Sequence, residues 1–295
     1  MSCRFSVEGC DHILGGDFLK KEIRTVKFDP DLKIEAYCFQ GIMQKFPNHF
    51  HEYYVLGLIE SGQRYLSCKN REYTIEPGDL LLFNPRDNHT CEQIDGKALD
   101  YRCLNIQTET MGRAVLEITG KEEQPYFTSQ VIFQSELVPL LKELHLMIMQ
   151  EERDFRKEEI FFFLLEQLLT EYTEQDVPFP KMEQSAETKA ICEFLEKNYM
   201  NNITLNDLSD LTGLSKYYLL RSFTKQKGIT PYSYLETIRI HKAKQLLEQG
   251  LPLIEVALQT GFADQSHFSN FFKKYIGLTP KQYRSCLLYT SPSPR

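Results

Sequence analysis

A chain of 295 residues is long enough for about two domains. Its 42% hydrophobic and 25% charged residues exclude wholesale disorder or a fibrous repeat. Its longest apolar run, Ile160 to Leu165, is far shorter than the ~18 residues a membrane-spanning helix needs. The net charge of −7 is unevenly spread: residues 186–285 carry 13 Lys and Arg against 9 Asp and Glu, residues 1–185 carry 20 against 32. A basic segment on an acidic body points to a polyanion partner for the C-terminal part only. The opening MSCRFSVEGCDHILGGD lacks the basic-then-apolar layout of a secretory signal, so the expected compartment is the cytoplasm, with no membrane contact. The eight cysteines include no C-x-x-C pair, which favours buried reduced thiols over a disulfide framework or a zinc site.

In chain order, residues 33–107 read as short strands: KIEAYCF, YYVLGLIESG, QRYLSCK, YTIEPGDLLLFNP and LDYRCLNIQ, punctuated by Gly62, Gly78 and Pro85. A compact antiparallel β unit is expected. From Leu137 the period becomes helical, through Leu140, Leu141, Leu144 and Ile148, and again through Ile160, Phe163, Leu164 and Leu168. Phe161 to Phe163 with Leu164, Leu165 and Leu168 cover more than one helix face. That width fits burial against both the β unit and a partner subunit, or burial wholly within one subunit. The proline-bearing stretch 176–185 reads as a linker, and LLYTSPSPR as a frayed tail.

The C-terminal part contains an internal repeat. Leu205, Leu208, Thr212 and Gly213 recur as Leu253, Val256, Thr260 and Gly261 at an offset of 48. Leu219, Phe223, Gly228, Thr230-Pro231 and Tyr234 recur as Phe268, Phe272, Gly277, Thr279-Pro280 and Tyr283 at 49. Each copy is a short apolar helix, a glycine break and a longer helix, the layout of a helix-turn-helix. Thr204, Thr230 and Thr279 are placed to cap helix starts, two of them just before a proline at the first helical position. Two helical hairpins packed on each other would give the same repeat without a ligand.

The outward faces distinguish these readings. With Leu219 and Phe223, or Phe268 and Phe272, turned inward, the opposite faces hold Lys216, Tyr217, Leu220 and Arg221, and Gln265, Ser266, Ser269 and Asn270. These sit near the helix starts, where a recognition helix meets base edges; Arg221 suits guanine, Gln265 or Asn270 adenine. Pro231 to Leu247 is a stretch of 17 residues. As a helix it makes a rod of roughly 26 Å, a span suited to holding two recognition helices about one DNA turn, ~34 Å, apart. Arg239, Lys242, Lys273 and Lys274 are assigned to phosphate contact.

The segment LPLIEVALQTGFADQSHFSNFFKKYIGLTPKQYR closely resembles the signature of AraC-type transcriptional regulators, and the resemblance covers about residues 186–285. It implies two helix-turn-helix units joined by a long helix, with the family's base-contacting positions falling on the eight residues named above. Leu220 departs from the polar type, which leaves it a thymine methyl or no contact. PNHFHEYYVLGLIESGQ and YTIEPGDLLLFNPRDNH resemble the cupin-like effector domain of the same family. That implies a β-barrel, dimerising helices, a small-molecule effector with a sugar as one candidate class, double-stranded DNA as target, and RNA polymerase as partner of an activator.

His49, His51 and His89 invite a metal reading, because imidazoles at i, i+2 share one side of a strand. Metal-binding cupins add a glutamate four or five residues after the second histidine, where this chain has Val55 and Leu56. The three are therefore read as pocket or packing histidines, with no metal and no cofactor. Arg64, with Tyr65, Tyr101 and Arg102, is read as a polar contact to the effector; ion pairing of Arg64 and Arg102 on the outer face is the competing reading.

The expected architecture is a multidomain α and β chain: a cupin-like β-barrel over 1–134, dimerisation helices over 135–175, a linker at 176–185, an all-α domain with two helix-turn-helix units over 186–285, and a tail from 286 to 295. The expected function is a cytoplasmic, dimeric, ligand-responsive DNA-binding regulator and not an enzyme. The rival is a cupin-type metal enzyme carrying a DNA-binding appendage.

Overall fold

The structure, a computed structural model, describes residues 22–69, 71–174, 186–276 and 278–290. The expected linker, Gly277 and residues 291–295 lie outside them. The described residues fall into two compact units: one runs to Arg153 and resumes at Ile160, the other comprises Asp154–Glu159 and the residues from 186 on.

The first unit is built on β1 (Ile23–Asp29), β2 (Ile34–Ile42), β3 (Phe46–His49), β4 (Tyr54–Ser61), β5 (Arg64–Cys68), β6 (Arg71–Ile75), β7 (Leu80–Phe83), β8 (His89–Gln93), β9 (Leu99–Ile106) and β10 (Val131–Ile132). These make a six-stranded sheet, ordered β1-β2-β9-β4-β7-β10, and a four-stranded sheet, ordered β3-β8-β5-β6. All pairings are antiparallel. Two short-turned antiparallel sheets facing each other give a small barrel-like sandwich with a cavity between its inner faces.

The continuous apolar run of β4 follows from burial on both sides. Val55 and Ile59 face the cavity, while Leu56 lies on the opposite face with Leu141, Leu164 and Leu168. Those three leucines come from α2 (Val138–Met149) and α3 (Arg156–Tyr172), which cover the back of the large sheet. Phe161, Phe162, Leu165 and Leu169 are all buried within the single chain. Most of the wide apolar face of α3 is thus covered within one chain, with Phe163 half-buried.

A helix that the strand-by-strand reading passed over, α1 (Thr108–Thr119), follows β9 directly and buries Met111, Ala114, Val115 and Ile118. Its signal was present in that spacing and in Gly120, whose φ of 73° closes the helix in the left-handed conformation glycine tolerates.

The second unit is helical: α4 (Ala186–Asn198), α5 (Leu205–Thr212), α6 (Lys216–Lys227), α7 (Pro231–Glu248), α8 (Leu253–Gln259), α9 (Gln265–Ile276) and α10 (Pro280–Thr290). The caps fall where the sequence places them. Thr204 and Asp207 form a reciprocal capping box. The Thr230 hydroxyl accepts from the Ser233 amide, with Pro231 opening α7. Thr279 and Gln282 exchange equivalent bonds ahead of Pro280. α10 continues to Thr290, into the stretch expected to be a frayed tail. Around the second repeat, Ile240, Ala243, Leu247, Val256, Ala257, Phe262, Phe268 and Phe272 form one buried cluster.

Candidate functional site

The cavity of the first unit measures about 240 Å³. Alternation along the strands decides what lines it: Tyr37 and Phe39 from β2, Leu81 and Phe83 from β7, Leu99, Tyr101, Cys103 and Asn105 from β9. The small sheet adds Phe46, His49, Leu66, Ile75, His89 and Cys91. No carboxylate, ammonium or guanidinium is among the described lining residues. Gly57 is the residue that sequence reasoning missed here: a Cβ at this position would collide with the Tyr101 ring, so the glycine makes room for that ring in the chamber. Burial pushes the Cys103 thiol up to about 12 and Cys91 to about 11. The chamber cysteines are thus protonated packing groups rather than nucleophiles.

His49, His51 and His89 converge at one end of this chamber, with ring centroids 4.3 to 5.2 Å apart. His89 stacks on Phe83 at 4.1 Å and His51 on Tyr53 at 4.9 Å. Burial, with the neighbouring imidazoles adding to it, holds His51 down at about 4; burial likewise lowers His89 to about 4 against the Asp87 carbonyl.

Arg64 does not line the chamber, contrary to expectation. Its side chain is fully buried, with Nη1 donating to the carbonyls of Gln63 and Lys97 and Nη2 to Ile42. A guanidinium so occupied pins strand ends together. Tyr65 is also absent from the lining, while Tyr101 is part of it. Arg102 points to the outer face, 2.6 Å from Glu60, which Lys142 also approaches at 3.0 Å. Beside it, His145 Nε2 donates to the Tyr37 carbonyl at 2.8 Å and burial lowers its pKa to about 4.

In the second unit, the second helices of the two repeats differ. On α9, Phe268 and Phe272 are buried while Gln265, Ser266 and Asn270 are exposed and Ser269 is half-buried. Lys273 and Lys274 stand exposed in its last turn, the latter over the rings of Phe271 and Tyr275. On α6 the expected face is largely withdrawn: Tyr217 is 3% exposed and Leu220 is fully buried, which corrects their reading as base contacts. Helix α6 carries apolar side chains on adjacent faces, so Tyr217 and Leu220 join Leu219 and Phe223 in the interior. Lys216 Nζ lies 2.6 Å from Glu158 Oε1, within the same unit. Arg221 is half-buried.

Arg239 is likewise corrected from phosphate contact. Only 7% exposed, it donates from Nε to the Tyr199 carbonyl and from Nη2 to that of Asn201, tying α7 to the loop between α4 and α5. Lys242 is half-buried on the same helix.

A small-molecule chamber in a β sandwich, and a separate pair of helix-turn-helix units on a long connecting helix, define a ligand-binding transcription regulator. Comparison with known proteins agrees. Residues 32–165 match the AraC-like ligand binding domain and residues 208–285 match the helix-turn-helix domain. The chain is 61% identical over 249 residues to the HTH-type transcriptional regulator YbfI of Bacillus subtilis (strain 168), covering 84% of this chain and 90% of that protein. It is 24% identical over 274 residues to the HTH-type transcriptional activator RhaS of Klebsiella pneumoniae (strain 342), covering 91% and 95%. Among solved structures, ToxT from Vibrio cholerae O395 aligns at 17% identity and a TM-score of 0.36, over 86% of this chain and 98% of that one. The chain belongs to the AraC-type transcriptional regulators: it is a DNA-binding regulator with a ligand-binding domain, not an enzyme. Among the described residues, no helix is long and apolar enough to cross a membrane.

Proposed function

We propose that this regulator works in the cytoplasm as a homodimeric activator that reads paired DNA sites chiefly through α9, with α6 contributing Lys216 and Arg221. The observation that carries this reading is the α9 face. Gln265 with Ser269 and Ser266 with Asn270 are i, i+4 pairs at the helix start, opposite buried Phe268 and Phe272. Amides and hydroxyls in that arrangement suit base edges in a major groove. Lys273, Lys274 and Lys242 supply phosphate contact, which fixes register and makes affinity fall with salt. The activator role and the contact with RNA polymerase are carried over from the AraC-type resemblance and the relative named an activator. The dimer is supported by the logic of two half-sites read by two copies.

The effector enters the β chamber. A ligand bristling with hydroxyls would leave them facing Ile59, Leu66, Ile75 and Leu81 without partners, at a cost of about 1–3 kcal/mol each. The lining instead favours a compact, mainly apolar molecule whose single polar end meets the three histidines, rather than the sugar that the family resemblance offered. Selection of bound fragments from random DNA with the full chain tests the DNA reading. A defined pair of half-sites recovered by the native protein, and lost or relaxed at one position by Asn270→Ala, is the expected outcome. Recovery of no consensus at moderate salt would refute it.

A further inference from the structure

One end of the chamber brings three imidazole rings together. One ring nitrogen from each of His49, His51 and His89 lies within 4.8 Å of the other two. Three atoms at that separation share a centre about 2.8 Å from each, so shifts of under ~1 Å bring all three to the 2.0–2.1 Å of a metal–imidazole bond. Two of the rings are held by backbone carbonyls. His49 Nδ1 faces the Pro47 carbonyl at 2.6 Å and His89 Nδ1 faces the Asp87 carbonyl at 2.9 Å. A carbonyl only accepts, so the tautomer that satisfies each contact carries its proton on Nδ1 and leaves Nε2 as the electron-pair donor. This outer hydrogen bond is the one that metal-binding histidines use to fix tautomer and ring plane. Stacking on Phe83 and Tyr53 fixes the planes of His89 and His51 further.

We propose that His49, His51 and His89 bind one divalent transition-metal ion, whose open coordination position faces the apolar chamber and takes an anionic oxygen of the effector. This departs from the sequence expectation, which set metal aside because Val55 and Leu56 stand where a carboxylate would complete the set. The missing carboxylate defines the site rather than abolishing it. Three neutral imidazoles suit Zn²⁺, Co²⁺, Ni²⁺ or Cu²⁺ and not Ca²⁺ or Mg²⁺, which require oxygen donors. They also leave the ion's charge uncompensated and a ligand position free. With no carboxylate, ammonium or guanidinium among the described lining residues, the counter-charge comes from outside, as the carboxylate or phenolate of an otherwise apolar molecule. The metal half of the proposal stands on the histidine geometry alone; the effector half rests on the function proposed above.

The test uses the full chain, freed of metal by a chelator and dialysed. Titration with Co²⁺ should give one equivalent bound, with the visible d–d bands of a low-coordinate cobalt site and without the near-ultraviolet sulfur-to-cobalt charge-transfer band of a thiolate site. Zn²⁺ should displace it and raise the thermal midpoint. His51→Ala and, separately, His49→Gln should each lower affinity by about 100-fold or more while leaving the circular dichroism spectrum unchanged, since both side chains are only half-buried. Benzoate, as an apolar carboxylate probe, should shift the cobalt bands, whereas glucose should not. Folded protein that binds no cobalt, or binds it equally in both variants, overturns the metal site. Binding that is intact but blind to benzoate overturns the open position. DNA retention measured on the same samples separates either failure from a failure of the regulator reading.

Discussion

Arg64 and Arg239 show how the same side chain is spent differently from its apparent purpose. Each gives its guanidinium to backbone carbonyls at the ends of other elements, and each is almost wholly buried. Deleting a planar, multiply bonded cation inside a protein leaves several acceptors unpaired and a hole where its stem packed. Arg239→Ala should therefore destabilise the helical unit by about 2–4 kcal/mol in denaturant titration, and Arg239→Lys should recover little, because an ammonium cannot fork to two carbonyls. Unchanged stability with weakened DNA binding would return Arg239 to the phosphate role first expected of it. Asn270→Ala belongs to the opposite kind: an exposed residue whose loss should cost about 1–3 kcal/mol in DNA binding and nothing measurable in folding.

His145 gives a pH prediction at the same scale. Its folded pKa, about 4, lies below the ordinary value of 6.5, so the unfolded chain takes up a proton first as pH falls. The stability it contributes is complete above pH 6.5 and is lost progressively as pH drops towards 4. His145→Asn should flatten the acid side of the barrel's stability profile over that window. An identical profile in the variant would show that the imidazole is not buried as described.

At the level of elements, the repeat was legible because two independent periodicities agreed, one in apolar spacing and one in caps and glycines. The paired glycines nevertheless differ. Both Gly213 and Gly261 have positive φ, but an added Cβ meets open space at Gly213 and the Tyr199 carbonyl at 2.6 Å at Gly261. Alanine should cost about 1 kcal/mol at Gly213 from backbone strain alone and distinctly more at Gly261, measured as shifts of the thermal midpoint. Equal shifts would contradict the close approach. Thr204→Ala should cost about 1 kcal/mol by the same measurement, through loss of the capping box.

What the sequence hid is of one physical kind. α1 was passed over because it begins two residues after β9, with no proline or cluster of turn residues between them. Tyr217 and Leu220 were misassigned because a helix wheel identifies an inward stripe but not whether the neighbouring stripe is buried as well. Arg64 was misplaced because its strand position indicated a face, while two of its three carbonyl partners, Ile42 and Lys97, lie far from it in sequence.

Over the whole molecule, separation into a ligand-binding β unit and a DNA-reading helical unit is what lets an effector act as a switch. Binding energy spent in the chamber alters transcription only through a difference in affinity between DNA-competent and DNA-incompetent states. The domain order, the β-to-α transition and the three histidines were all readable in the chain. The convergence of His89 on the other two was one option the sequence offered, and the pairing of β3 with β8 is what brings it about. The most direct test of the account is the binding of the full chain to its selected DNA duplex as a function of salt, compared for the native protein and a Gln265→Ala, Asn270→Ala double variant. A steep linear fall of log affinity with log salt, and loss of preference over random duplex in the variant at an unchanged slope, is the predicted result. A native protein that prefers its selected duplex no more than random DNA at every salt concentration would contradict it.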